Sequence, residues 1–142
     1  MGIKKQKIIA AAFIHKDGKL LIAKRANSKK FMPGVFELPG GHIEYGETME
    51  NGLAREIKEE FHIDVKIGEP IHVFTYMHGN TGHAIEVDYL ATMIKPTQEI
   101  RLNPEDHSEY RWVSRSNYSR FLAGNEKERE AARKGFKRLL NI

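Results

Sequence analysis

The chain has 142 residues and no cysteine, and its 23 Lys and Arg against 19 Asp and Glu give a formal net charge of +4. This length suits one domain over residues 1–142 with a single core, and the absence of cysteine excludes disulfides and thiolate chemistry. No stretch approaches the roughly 20 apolar residues of a membrane span, and no apolar signal-peptide core follows the N-terminus. We therefore expect a cytoplasmic protein without a membrane partner.

Apolar runs separated by turn residues predict strands in the first part of the chain. Residues 6–15 and 20–24 are expected to form a hairpin, because an Asp-Gly pair between them is a strong turn signal. A polar loop is predicted at 25–34. A short strand at 35–38 follows and ends at a Pro-Gly-Gly sequence, which interrupts regular structure.

The next element is predicted to be a helix over residues 48–61, with Thr48 as its N-cap. Gly52 lies inside this helix and costs up to about 1 kcal/mol relative to alanine. We expect that another backbone approaches the helix closely at Gly52, because close approach is a common reason for glycine at such a position.

The rest of the chain predicts four more strands and two helices. The strands are expected at 63–67, 71–76, 84–94 and 109–113, and the helices at 115–122, capped by Ser114, and at 125–140, which is amphipathic. The order β-β-β-α-β-β-β-β-α-α predicts an α/β fold with a mixed sheet between helices.

The predicted helix at 48–61 carries acids at spacings that favour a bound cation. Glu56, Glu59 and Glu60 would fall within an arc of roughly 100° on one side of it. Glu56 and Glu60 form a like-charge pair four residues apart, and the helix dipole disfavours carboxylates in the last turn. A cation would remove these penalties, and oxygen ligands suit Mg²⁺ or Mn²⁺ better than zinc.

The segment that contains these acids resembles the Nudix box, G-x5-E-x7-R-E-U-x-E-E-x-G-U with U aliphatic. The pattern is filled in order by Gly41, Glu47, Arg55, Glu56, Ile57, Glu59, Glu60 and Ile63. His62 stands where the family has a glycine, so the helix end is expected to be strained or reshaped, with a role of its own at the metal as the alternative. The resemblance implies a Nudix-like α/β/α sandwich that hydrolyses nucleoside diphosphates linked to another moiety.

The resemblance also implies roles for the residues of the box. Glu56 and Glu60 are expected to be metal ligands, and Glu59 to be a third ligand or to hold a metal-bound water. The main-chain carbonyl of Gly40 is a further candidate ligand. Arg55 would hold a carboxylate in place by bridging to Glu47 or to Glu56.

The sequence specifies the general base and the substrate contacts less strongly than it specifies the metal ligands. The base is Glu56 or one of three acids in a later loop, Glu105, Asp106 and Glu109, for which turn and capping chemistry is the alternative. Arg25 resembles the basic residue that many members direct at substrate phosphates, with an exposed strand-end cation as the alternative. Phe36 could stack on a base or pack in the core.

The leading functional hypothesis is a Mg²⁺-dependent pyrophosphohydrolase of MutT type that acts on a nucleoside triphosphate. The runner-up substrate is ADP-ribose or another dinucleotide-like diphosphate. A non-catalytic Nudix-fold ligand-binding module is a second class, although such proteins usually lose the carboxylates retained here. A nucleic-acid binder is disfavoured because the chain lacks interleaved aromatic residues for stacking. The expected partner is a small nucleotide or nucleotide derivative, and a homodimer is left open.

Overall fold

The computed structural model describes residues 2–140, which form seven strands and three helices. In chain order these are β1 Lys5–Lys16, β2 Lys19–Arg25, β3 Phe36–Glu37, β4 Gly40–His42, α1 Met49–Phe61, β5 Val65–His78, β6 Gly82–Met93, β7 His107–Val113, α2 Tyr118–Phe121 and α3 Glu126–Leu139. None of the helices within these residues is long and apolar enough to cross a bilayer.

Strand β1 organises a mixed sheet. It runs parallel to β6 along the register from Lys5↔Gly82 to Ile14↔Ala91, and β5 lies antiparallel on the far side of β6. The C-terminal end of β1 pairs antiparallel with the start of β2. Strand β2 in turn pairs antiparallel with β3 and β7. The short β4 pairs antiparallel with the middle of β1, which brings the start of the acidic segment onto the sheet.

Helices cover both faces of this sheet because successive side chains of β1 point to opposite faces. Ala10, Ala12 and Ile14 belong to one buried cluster, which includes Leu53, Ile57 and Phe61 of α1. Ala11 and Phe13 belong to a second cluster, which includes Ala131, Ala132 and Phe136 of α3. The predicted α/β/α sandwich with a mixed sheet is therefore confirmed.

Helix α1 agrees closely with its prediction, because its boundaries depend on local contacts. Thr48 is the N-cap, and its Oγ1 accepts a hydrogen bond from Asn51 N at 3.1 Å. The terminal helix was also placed correctly within one residue, at Glu126–Leu139.

Strands β4 and β5 differ from the predictions. The strand before the Pro-Gly-Gly sequence ends at Glu37 as expected, but Gly40 and Gly41 then begin a further, unpredicted strand that pairs with β1. Glycine permits this, because a Cβ on Gly40 would lie 2.1 Å from the Ala10 carbonyl oxygen. The two strands predicted at 63–67 and 71–76 form one strand, in which the pairing with β6 is irregular around Pro70.

The helix predicted at 115–122 is only one turn long, Tyr118–Phe121. Ser114 does not cap it with its side chain, because the Ser114 Oγ contacts Ser116 Oγ at 2.8 Å. Instead, the Asn117 Oδ1 accepts a hydrogen bond from Ser114 N at 2.8 Å. This local turn competes with the helix over its expected first residues.

Candidate active site

Arg55 connects the acids of the Nudix-like segment to one another. Its Nε and Nη2 donate to the two carboxylate oxygens of Glu47 at 2.7 and 2.9 Å. Its Nη1 donates to Glu56 at 3.0 Å and to Glu59 at 3.3 Å, and Nη2 also donates to the His42 carbonyl at 2.9 Å. Both of the alternative bridges predicted for Arg55 therefore form at once.

Glu47 is held as a carboxylate by this contact. The hydrogen bond from Arg55 and a second one from Glu44 N, at 2.8 Å, lower the pKa of Glu47 to about 2. Glu47 thus fixes the loop before α1 to the middle of the helix.

Two glycines allow the loop and the helix to approach each other. A Cβ on Gly41 would lie 2.4 Å from Glu56 Oε2. A Cβ on Gly52 would lie 2.7 Å from Ile43 Cδ1 and 3.0 Å from Glu47 Oε1. The close approach at Gly52 is therefore made by side chains, and the expectation of a neighbouring backbone was wrong.

His62 ends α1 in the left-handed conformation that its position requires. Its φ and ψ are 60° and 33°, and its N–H donates to Lys58 O at 3.0 Å. The imidazole Nδ1 lies 2.6 Å from the Arg101 carbonyl oxygen and must be the donor there, since the carbonyl can only accept. The side-chain contact of His62 is thus with the chain after β6, and it supports the reading of a strained helix end.

The three glutamates proposed as metal ligands on α1 differ in exposure. The side chains of Glu56 and Glu60 are 16% and 15% exposed, whereas that of Glu59 is 59% exposed. Burial raises the pKa of Glu56. Burial, followed by the charges of Glu37, Asp106 and Glu56, raises the pKa of Glu60 to about 9.

This electrostatic environment fits a divalent cation with oxygen ligands. A positive ion beside Glu60 would stabilise the carboxylate that burial and neighbouring acids destabilise. Within residues 2–140, no group of three or more His, Cys, Asp or Glu side chains is already arranged to hold an ion. Water and substrate oxygens would therefore have to complete the coordination, as they usually do for Mg²⁺.

A cleft of about 780 Å³ opens beside these acids. Of the residues predicted for the site, it is lined by Gly40, Glu56, Glu60, Arg25 and Asp106. Arg55, Glu47 and Glu59 do not line the cleft, and Arg55 contacts both of these acids. The acids Glu56 and Glu60 therefore line a cleft that is large enough for a nucleotide.

The other candidates lie elsewhere or are already paired. Glu109 of β7 forms ion pairs with Lys24 at 3.8 Å and Arg111 at 3.1 Å, and Glu105 is exposed in a turn. Neither of these acids lines the cleft, whereas Asp106 does and pairs with Lys29 at 2.9 Å.

Phe36 and Arg25 have contacts that the sequence did not specify. Phe36 packs edge-on against Phe121 with ring centroids 5.6 Å apart, which matches the core-packing alternative. Arg25 lines the cleft, but its Nη1 donates to Glu37 at 3.1 Å and its Nε donates to the Phe31 carbonyl at 2.8 Å.

Sequence reasoning missed two residues that connect the cleft to α1. His107 is 2% exposed, and its Nε2 lies 2.9 Å from Glu37 Oε2, while its Nδ1 lies 3.9 Å from Glu60 Oε2. Glu37 thus bridges Arg25 and His107. No signal in the sequence indicates the contact between Glu37 and His107, because the two residues lie 70 positions apart.

Comparison with known proteins identifies the family. The sequence model of the NUDIX domain family matches residues 4–138 of this chain. The chain belongs to the Nudix family. It is a hydrolase that acts on phosphorus-containing acid anhydrides. Nudix hydrolases generally need a divalent metal ion and act on small nucleotide substrates.

Individual relatives cover most of the Nudix chain. The nucleoside triphosphatase NudI of Enterobacter sp. (strain 638) is 30% identical over 119 residues, which are 78% of this chain and 84% of NudI. A crystal structure of a MutT protein from Methanosarcina mazei Go1 has a TM-score of 0.81 at 23% identity and covers 98% of both chains. A MutT NUDIX hydrolase from Burkholderia pseudomallei has a TM-score of 0.68 at 27% identity and covers 78% of this chain and 84% of its own.

Proposed function

We propose that this Nudix hydrolase converts a nucleoside triphosphate to a nucleoside monophosphate and pyrophosphate in a Mg²⁺-dependent reaction. The observation that carries this proposal is that the half-buried acids Glu56 and Glu60 line a nucleotide-sized cleft. The similarity to the nucleoside triphosphatase NudI supports the same substrate class.

Within this proposal, Glu56, Glu60 and the Gly40 carbonyl would hold Mg²⁺, or Mn²⁺ in its place, with Glu59 as a third ligand or a holder of bound water. The bound ion supplies charge neutralisation on the diphosphate oxygens and acidifies water. Arg55 keeps Glu56 and Glu59 in position, and Glu47 anchors Arg55 in turn. A positioned water then attacks a phosphorus atom of the triphosphate, and pyrophosphate leaves.

We assign the general base to Glu56. Asp106, which also lines the cleft, is the alternative base, because each of the two acids has one oxygen paired with a cation, Asp106 Oδ1 with Lys29 and Glu56 Oε1 with Arg55. The placement of Glu105 and Glu109 away from the lining disfavours both acids as a base. Arg25 is proposed to contact substrate phosphates, because it lines the same cleft as Glu56 and Glu60.

The test is a panel of nucleoside triphosphates, ADP-ribose and dinucleoside polyphosphates, assayed with and without Mg²⁺. Glu56→Gln and Glu60→Gln should each reduce turnover by at least about a hundredfold while the fold is retained. Glu50→Gln, an exposed carboxylate on the first turn of the same helix, is the matched control and should keep full turnover.

Each outcome of the panel distinguishes the alternatives. Turnover confined to ADP-ribose or dinucleoside polyphosphates would replace the substrate proposal and leave the site assignment in place. Binding without turnover of any compound would favour the ligand-binding module. The extent 1–142 of the domain, the cytoplasmic location and a homodimer stay predictions.

A further inference from the structure

Three buried carboxyls in or next to the cleft are not used by the proposed hydrolysis. Glu86 and Asp88 lie on β6 and are 5% and 0% exposed, and Glu128 of α3 is 6% exposed. Glu86 and Glu128 line the same cleft as Glu56 and Glu60. A molecule whose phosphates lie at α1 can therefore extend its other end toward Glu86.

Glu86 and Asp88 lack donors within the described part of the chain. No N–H or O–H group among residues 2–140 donates to Glu86 Oε2 or to either oxygen of Asp88. Two buried carboxyls can satisfy each other by sharing a proton. Burial and contact with Asp88 raise the pKa of Glu86, and burial raises that of Asp88 to about 7, so the pair retains a proton near neutral pH.

Glu86 is the member of this pair that reaches the cleft, because Asp88 is fully buried behind it. A shared proton occupies the side of the Glu86 carboxyl that faces Asp88. The rest of the carboxyl can then accept a hydrogen bond from a ligand. Glu86 Oε2 is itself shielded from solvent, so the oxygen available to a ligand in the cleft is Oε1.

The second carboxyl that lines the cleft with Glu86 is already hydrogen-bonded. Glu128 Oε1 accepts from Leu38 N at 3.1 Å, and Glu128 Oε2 accepts from Asn125 Nδ2 at 2.5 Å. Asn125 Nδ2 also donates to the Phe36 carbonyl at 3.3 Å. Because both oxygens of Glu128 are in use, it is poorly suited to bind an added cation. Asn125 uses its amide nitrogen in these contacts, so its Oδ1 is a further acceptor.

A row of aromatic rings flanks these acceptors. Phe74 lies directly opposite Glu86 in the pairing of β5 with β6. The rings of Phe74 and Tyr76 stack with centroids 5.8 Å apart, and Phe31 stacks on Tyr76 at 6.0 Å. All three rings line the cleft, and stacked rings of this kind offer a flat surface for a nucleobase.

We propose that Glu86, positioned by Asp88, determines base specificity by accepting a hydrogen bond from an exocyclic amino group of the bound nucleotide. The inference rests on the proposed function, because it takes the ligand to be a nucleotide. Cytosine and guanine can donate such a hydrogen bond. Uracil presents a carbonyl oxygen where cytosine has its amino group, and hypoxanthine differs from guanine only by the absence of that group, so both leave an acceptor unpaired.

The test compares CMP with UMP and GMP with IMP by titration calorimetry on the full chain. The wild-type protein should bind CMP and GMP at least about tenfold more tightly than UMP and IMP. Glu86→Leu, which keeps the approximate size of the side chain but removes its acceptor oxygens, should reduce both ratios below about threefold. Glu99→Gln, at an exposed position away from the cleft, should leave them unchanged.

Equal wild-type affinities within each pair would overturn the proposal, as would unchanged ratios in Glu86→Leu. Asp88→Ala serves as a second variant, and its ratios should also fall, because it removes the carboxyl that positions Glu86. Monophosphates contain no anhydride, so this result is independent of turnover. A failure of triphosphate hydrolysis in the panel above would remove the proposed function without altering the measured binding ratios.

Discussion

Arg55 determines the arrangement of the acidic side of α1, since one guanidinium contacts Glu47, Glu56 and Glu59. Lysine would keep the charge but lose the planar fork that contacts both oxygens of Glu47. We predict that Arg55→Lys lowers kcat by about tenfold to a hundredfold, because groups that orient metal ligands typically have effects of this size. Steady-state kinetics at saturating Mg²⁺ would measure the loss.

The control is Arg133→Lys on the outer face of α3. Arg133 makes the same kind of two-point contact with Glu130, at 2.9 and 2.7 Å, and its side chain is 52% exposed. Its replacement should leave kcat unchanged. Equal effects of the two substitutions would show that Arg55 contributes only surface charge.

The buried carboxyl of Asp88 gives a pH dependence of stability with a defined sign. Burial raises the pKa of Asp88 from its ordinary value of 3.8 to about 7. The folded state therefore binds more protons than the unfolded state between these values, and its stability falls as the pH rises through this window. Relative to wild type, Asp88→Asn should become more stable by up to about 4 kcal/mol between pH 4 and pH 7. Urea unfolding at several pH values tests this, and a difference that is independent of pH would contradict it.

The helix end at His62 shows how one residue can replace a glycine. The left-handed conformation destabilises the folded state by about 1–2 kcal/mol for a residue with a Cβ. The hydrogen bond from His62 to the Arg101 carbonyl stabilises it by about 1 kcal/mol. We predict that His62→Gly changes the free energy of unfolding by less than about 1 kcal/mol, whereas His62→Ala destabilises by about 1 kcal/mol because it keeps the strain and loses the contact.

Both His62 variants should retain Mg²⁺-dependent turnover, because the imidazole contacts the chain after β6 and not the carboxylates. Urea midpoints and turnover numbers together provide the test. Loss of turnover in a folded His62→Gly protein would restore the alternative that His62 acts at the metal.

The elements that the sequence predicted well are those defined by local chemistry. The Thr48 cap and the apolar spacing of α1 lie within one helix, so their pattern indicates the element directly. The strand Gly40–His42 was not predictable in this way, because it exists through pairing with β1, some 30 residues earlier in the chain. The short α2 also depended on a specific turn, in which Asn117 bonds back to Ser114.

The packing of α3 on the sheet depends on a small residue. A Cβ on Gly135 would lie 2.3 Å from the Phe13 ring, whereas one on Gly124 would meet only Val35 at 3.8 Å. We predict that Gly135→Ala destabilises the protein by about 1–3 kcal/mol through overpacking, despite the better helix propensity of alanine. Gly124→Ala is the control and should change the free energy of unfolding by less than about 0.5 kcal/mol. Similar urea midpoints for both variants would contradict this packing.

Across the whole molecule, the candidate site combines a local motif with contacts that only the fold creates. The positions of Glu56, Glu59 and Glu60 on one helix follow from their spacing in the sequence. The bridge from Arg25 through Glu37 to His107 joins β2, β3 and β7, so it depends on strand pairing that a single sequence does not specify. The same reason explains why the buried Glu86 and Asp88 could not be recognised in advance.

The central claim is that a divalent ion binds against the acidic side of α1 through Glu56 and Glu60. The most direct measurement is the binding of Mn²⁺, followed by electron paramagnetic resonance of the free ion, without substrate present. Wild-type protein and Glu50→Gln should bind Mn²⁺ with the same affinity, and Glu56→Gln and Glu60→Gln should each weaken binding at least about tenfold. Equal affinities in all four proteins would contradict the claim.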